Sequence, residues 1–379
     1  MRIYLDNNAT TAIHPQVLQV LDEALREVFG NASSIHKEGQ TARRVIEDAR
    51  ESVARLIGAV PREVVFTSGG TESNNAAIFG ALAAGGRHHI VTTGVEHPSV
   101  AEAVAELERR GHEVTRVPPA RSGEVAAQAV LDALRPHTRL VAMMLANNET
   151  GVIQPVEEVG RVCRQRGIHF HCDAVQAVGK IDVSVHAIQC DTLAVSAHKL
   201  HAPKGIGALY VRGGLSLAPF VFGGAQERRR RAGTENVPLA AAFGAAAAIA
   251  AGDSWRDGVA ALRDALEAAM KSAFEVTVNG EGVRRLPNTS NLTVHGADGE
   301  GLVIALDLSG VAVSTGSACS SGRVEPSPIL LAMGLSPAEA RSTVRFSLSR
   351  FTSAAEIDRT VALLNDVVPR TLTVNRFNG

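Results

Sequence analysis

The sequence predicts an α/β protein, a mainly parallel sheet joined to a smaller α+β domain, and three observations carry that prediction. Short apolar runs rich in β-branched residues recur from about residue 60 to 215. Spacers of roughly 15 to 25 residues, long enough for crossover helices, separate most of them. Beyond Val276 the rhythm changes to mixed short strands and helices.

Taken in order, Val45, Ala49, Val53 and Leu56 recur at helical spacing and stop at Gly58, which suits a helix C-terminus. The strand runs follow: Val64 to Phe66, His89 to Val91, Glu113 to Val117, Leu140 to Leu145, Ile168 to Cys172, Thr192 to Val195 and Gly207 to Val211. Residues 237–273 read as one long helix or two shorter ones. NLTV at 291, LVIAL at 302, VAVST at 311 and VRFSL at 344 make up the later, mixed region.

Bulk properties narrow the function. A chain of 379 residues has room for roughly two or three domains. With 45% hydrophobic and 20% charged residues it has the balance of a compact globular protein. A formal net charge of −1 gives no overall pull toward nucleic acid or an anionic membrane. The start, MRIYLDNNATT, lacks the regions of a signal peptide, so a cytoplasmic location is expected. The alanine-rich PLAAAFGAAAAIAAG (238–252) reads as a closely packed internal helix rather than a membrane span. The four cysteines form no CxxC pair or zinc spacing, and neither a structural metal nor a disulfide framework is expected. Cys163, Cys172 and Cys190 sit in helix or strand surroundings and read as packing residues. Cys319 differs: STGSACSSGRVEPS (314–327) surrounds it with small polar residues and reads as a loop.

Ligands of a parallel sheet collect at the carboxyl ends of its strands. Four polar clusters fall at such ends. TSGGTESNN (67–75) offers a tight glycine turn and a helix N-terminus suited to an anion, although the same pattern serves ordinary βα connections. Asp173 is either a functional carboxylate or a helix cap, with Gln176 three residues on. Lys199, in SAHK, is harder to treat as structural, because a buried ammonium is costly unless paired or used, and such lysines form Schiff bases. His97 precedes a proline and gains weight from its company. Anion cup, carboxylate, histidine and lysine on one sheet edge together suggest a pyridoxal phosphate site.

Ten motifs in order now make the chain recognisable: YLDNNATT (4–11), GNASSIH (30–36), VVFTSGGTESNN (64–75), EHPSV (96–100), NNETG (147–151), DAVQAVGK (173–180), SAHKLHAPKGIGALYVR (196–212), RAGTEN (231–236), STGSACSSG (314–322) and VRFSLSRF (344–351). The sequence resembles the NifS/IscS-type cysteine desulfurases of the class V aminotransferase family nearly end to end. Two departures are small: Leu145-Ala146 before NNE and Gln226 after GG stand where some members have other residues.

The resemblance implies the fold type I of pyridoxal phosphate-dependent transferases, with a seven-stranded large domain over 16–250. It implies a small domain from 1–15 and 251–379 that carries the cysteine loop. It implies that Lys199 holds pyridoxal phosphate, that Asp173 pairs with the ring nitrogen, that His97 stacks on the ring and that Gln176 contacts its phenolic oxygen. Gly70, Thr71, Ser196, Ala197 and His198 would complete the cofactor site, with Thr234 coming from the partner subunit of a homodimer. Asn148 and Arg345 would hold the L-cysteine substrate, Asn148 also touching the cofactor and Arg345 offering its fork to the carboxylate. Lys199 would move the Cα proton and Cys319 would take the sulfur as a persulfide, leaving L-alanine. The sulfur would pass to an acceptor such as an iron–sulfur scaffold protein. No intrinsic metal is implied, Cys319 serving at most as a transient iron–sulfur ligand. A selenocysteine lyase or another family enzyme is the alternative. Within the run Arg228 to Arg231, Arg231 matches a family position, while Arg228 to Arg230 are expected to be solvated surface rather than a docking patch.

Overall fold

The computed structural model describes residues 2–83, 85–252, 254–315 and 325–374. Cys319 lies outside the described residues.

Among the described residues twelve strands run in chain order: β1 (Ile3–Tyr4), β2 (Val64–Thr67), β3 (His89–Thr93), β4 (Glu113–Val117), β5 (Thr138–Met144), β6 (His169–Asp173), β7 (Thr192–Ser196), β8 (Gly207–Val211), β9 (Val276–Val278), β10 (Thr289–Val294), β11 (Val311–Ala312) and β12 (Thr343–Ser347). Seven of them form one sheet in the order β2-β8-β7-β6-β5-β3-β4. Only β8 runs antiparallel, against both β2 and β7. The reason is connection length: β7 reaches β8 through a short turn with no crossover helix, so the chain must reverse. The parallel members are buried along almost their whole length, as a sheet covered on both faces requires. Glu113 to Val117, on the edge, is the exception: only Val117 is buried, and the four residues before it are exposed or partly exposed.

The helix expected to end at Gly58 spans Lys37–Leu56, and Gly58 takes the left-handed conformation that stops it. Residues 237–273 divide into two helices, Val237–Ala251 and Arg256–Ala273. The alanine-rich first helix packs on Lys37–Leu56 and on Pro15–Glu27. Its small residues are what allow the approach: a Cβ on Gly244 would stand 2.5 Å from the Ala49 Cα. No single described helix is long and apolar enough to cross a membrane.

The later strands build a second sheet, β12-β10-β9, all antiparallel. LVIAL, in the mixed region, is helical, within Gly299–Leu308. The first residues of the chain join this part. Ile3 and Tyr4 pair in parallel with Val311 and Ala312, and Asp6 bridges Ser347. Ile3 and Leu5 share an apolar core with Leu292, Leu302, Phe346 and Leu364. Ile329, Leu330 and Met333, though late in the chain, pack instead into the core of the seven-stranded sheet.

Candidate active site

The expected groups meet at the carboxyl edge of the large sheet. Asp173 closes β6, Ser196 closes β7, and Ala197–Lys199 form a single 3-10 turn directly after it. His97 caps the helix Pro98–Arg109 that follows β3, and Gly70 opens the helix Gly70–Ala81 that follows β2. Strand ends thus supply the side chains, as they do in open parallel sheets.

Asp173 is buried. Its Oδ2 accepts from Asn74 Nδ2 at 2.7 Å and its Oδ1 from the Val175 N–H at 3.0 Å. Asn74 also donates to Ser99 Oγ at 2.8 Å, and Ser99 Oγ lies 2.8 Å from His97 Nδ1. Burial pushes the His97 imidazole below its ordinary range, with Asp173 acting against that shift and Lys199 adding to it. The three groups therefore share one electrostatic environment. Lys199 Nζ donates to the Ala9 carbonyl at 2.8 Å and to the Asn8 carbonyl.

Asn8 is one residue that sequence reasoning missed. Its carbonyl also accepts from Gln176 Nε2 at 2.9 Å, and its Nδ2 reaches the Asn148 carbonyl and Thr289 Oγ1. Lys180 was missed as well. Fully buried, it donates to Asn8 Oδ1 at 2.8 Å and to Gln176 Oε1 at 2.7 Å. Burial pushes its ammonium well below the ordinary lysine range, and Lys199 and Arg345 push the same way. Nothing in DAVQAVGK separated this lysine from a surface one.

Of the two residues expected to hold substrate, Arg345 comes from the second sheet and Asn148 from the segment after β5. Arg345, on β12, is buried, donating to Asp6 Oδ1 at 2.7 Å and to the Asn148 carbonyl at 3.1 Å. Its Nε and the Asn148 Oδ1 are buried without a hydrogen-bond partner among the described residues. Two further carboxyls in these motifs are buried. Glu96 is raised to about 8 by burial, and Glu149 to about 7 by burial against the opposing pull of Ser327 and Arg345. Glu149 Oε2 accepts from Ser327 Oγ at 2.6 Å, so NNETG is tied to the chain just beyond residues 316–324.

The turn expected to form a phosphate cup is closely packed. A Cβ on Gly70 would meet Val175 Cγ2 at 2.8 Å, and one on Gly207 would meet the Gly69 Cα at 2.7 Å. Only glycine fits either place. Thr71 is exposed and, with Asn75, His97 and Ser99, lines a cleft of about 490 Å³. His198 Nδ1 lies 3.1 Å from Thr10 Oγ1, and its imidazole is lowered to about 4 by burial and by Lys199. Thr234 is exposed and distant in sequence from every other group of the set. A roomier cleft of about 580 Å³ near Arg62 and Arg212 holds none of these groups, so volume alone does not find the site.

The sequence profile described as aminotransferase class-V matches residues 3–360. The chain belongs to the class V aminotransferase family. A cysteine desulfurase of Trichormus azollae is 44% identical over 386 residues, covering 100% of this chain and 95% of the relative. A solved NifS-like protein superposes with a TM-score of 0.92 at 34% identity, covering 98% of this chain and 100% of that one. A structure of SspA in complex with cysteine superposes at 0.83 with 35% identity, covering 93% and 100%. Class V aminotransferase-family membership and the sheet order agree on the pyridoxal phosphate fold type I.

Family membership leaves the remaining cysteines in place as packing residues. Cys163, Cys172 and Cys190 are buried, and burial raises each thiol, Cys163 to about 12. The arginine run makes an exposed ion pair of Arg228 with Glu47 and a partly buried one of Arg231 with Glu72, while Arg230 donates to the Arg62 carbonyl. Glu227, Arg228 and Arg229 all take left-handed backbone conformations, which the buried Arg50–Glu227 pair holds in place.

Proposed function

We propose that this chain is a pyridoxal phosphate-dependent cysteine desulfurase that converts L-cysteine to L-alanine and takes the sulfur onto Cys319. The observation that carries the reading is the convergence of Asp173, His97 and Lys199 at one sheet edge, faced by Arg345 and Asn148 with buried polar atoms still unpartnered.

The residues present fit the cofactor. A buried carboxylate suits a protonated ring nitrogen, the Gly70 and Gly207 approach suits a phosphate at a helix N-terminus, and Lys199 supplies an amine. Gly70, Thr71, Ser196, Ala197 and His198 would hold the phosphate end, Asp173 the ring nitrogen, and Gln176 and Asn148 the opposite side of the ring. Pyridoxal phosphate, when bound, supplies an electron sink for a carbanion at the substrate Cα.

The chain's own groups then divide the work. Arg345 binds the substrate carboxylate through its planar fork. Lys199 Nζ moves the Cα proton, and its neighbours Asn8 and Ala9 orient it through their carbonyls. The Cys319 thiolate attacks the substrate sulfur: one S–S bond forms, the Cβ–S bond breaks, and the carbon takes a proton to become the methyl group of alanine. Sulfur moves from cysteine to enzyme with no outside oxidant or reductant.

The chain works as a cytoplasmic homodimer, with the exposed Thr234 offered to the neighbouring subunit's phosphate site. Residues 16–250 form the cofactor domain, and residues 1–15 with 251–379 form the smaller one, supported by the core that Ile3 and Leu5 share with Phe346. An iron–sulfur scaffold protein is the favoured sulfur acceptor. The test is Cys319→Ala, which retains the cofactor's visible absorbance and loses sulfide release from cysteine. Undiminished release would end the nucleophile assignment.

A further inference from the structure

Polar hydrogens around Asp173 have one consistent arrangement. As a carboxylate, Asp173 only accepts, so the Asn74 amide must turn its NH₂ toward Oδ2. The second hydrogen of that NH₂ goes to Ser99 Oγ. Ser99 has one hydroxyl hydrogen, and His97 Nδ1, at 2.8 Å, is there to take it. The Ser99 backbone N–H points at the same nitrogen, 3.1 Å away, because His97 is the N-cap of its helix. A hydrogen on Nδ1 would oppose both donors. The ring must carry its hydrogen on Nε2.

The other side of Asn74 obeys the same order. Its Oδ1 accepts from His171 Nε2 at 2.9 Å, which leaves His171 Nδ1 to accept from Thr192 Oγ1 at 3.0 Å. With its hydrogen committed there, Thr192 Oγ1 accepts from His169 Nε2. Every amide, hydroxyl and imidazole from His97 to His169 is thus oriented by one carboxylate. Asn74 and His171 are buried, so water is excluded from breaking the sequence.

We propose that Asn74 and Ser99 are positioning residues that hold His97 in its Nε2–H form, so that the imidazole enters the active site as a hydrogen-bond donor. This rests on the active-site reading above. In this form Nε2 has no free lone pair, and resting His97 is not the base that takes the Cys319 thiol proton. The thiol must lose its proton to another group.

The test reads the tautomer in the resting holoprotein. Nitrogen NMR of protein labelled with ¹⁵N-histidine, assigned by comparison with His97→Gln, should show a pyrrole-type Nε2 and a pyridine-type Nδ1 for His97 at about pH 7.5, above the ordinary imidazole range. Ser99→Ala should move the Nδ1 signal and lower kcat about tenfold with KM unchanged, the loss expected for one hydrogen bond. Ser99→Thr, which keeps the hydroxyl, should restore both. A pyrrole-type Nδ1 in the parent overturns the proposal, as does a Ser99→Ala protein whose Nδ1 signal and kcat are both unchanged. If the protein proves inactive on cysteine, the desulfurase reading fails, whereas the resonances still decide the tautomer.

Discussion

Two polar clusters share the sheet edge, and they differ in how fully their hydrogen bonds are used. Around Asp173, both amide hydrogens of Asn74 and both nitrogens of His171 have partners, and the Ser99 hydroxyl is engaged on both sides. At the seam with the second sheet, Arg345 Nε and Asn148 Oδ1 are equally buried and have none among the described residues. Leaving a buried polar group unpaired costs roughly 1–3 kcal/mol, so such groups persist where a ligand completes them. On the function proposed above, the first cluster would hold a resident group, and the second would keep capacity for a substrate that arrives and leaves.

Lys199→Ala breaks the contrast at its centre. It should lower turnover by about 10³-fold or more, because both attachment and proton transfer go with the amine, and it should abolish the resting visible band. Persistence of that band would place the cofactor on another lysine. Arg345→Lys tests the seam alone. Losing the bidentate fork should raise KM by about 30-fold with a smaller change in kcat, read from steady-state kinetics.

Lys180→Met should show the cost of emptying a finished contact. It takes the ammonium donor from Gln176 Oε1 and leaves Asn8 Oδ1 with Asn288 Nδ2 as its donor, an expected loss of about 2 kcal/mol in denaturant unfolding. The smallest effect is a pH dependence. Glu96 and Glu149 hold their protons in the folded protein up to about 8 and about 7, whereas the unfolded chain releases them near 4.5. Their contribution is therefore full below the unfolded value and is lost as pH rises through the folded one. Glu149→Gln should flatten the fall in stability between about pH 6 and 8 by about 1 kcal/mol. An unchanged slope would show that Glu149 is already ionised there.

Much of the finished cluster was legible because strand ends are local features: a β-branched run followed by Asp173, Ser196 or His97 places that residue at the edge. β8 fell where expected, and the alanine-rich helix proved internal for the reason its composition suggests. The seam was harder to read. Asn8 gathers Lys180, Gln176 and Lys199 from segments more than 160 residues away, and no spacing within YLDNNATT marks it. In sequence Asn74 is only the tail of a glycine-rich turn, since an amide's role depends on what lies across the sheet. Lys180 looked ordinary because burial is a tertiary property.

Sulfur transfer from cysteine to Cys319 is tested by one incubation. The pyridoxal phosphate-loaded protein is given L-cysteine without reductant, then alanine is quantified and the intact protein is weighed by mass spectrometry. Alanine equal to the active sites is expected, with one added sulfur atom located at Cys319 by peptide mapping. A keto acid in place of alanine, or alanine formed with no sulfur on Cys319, would contradict it.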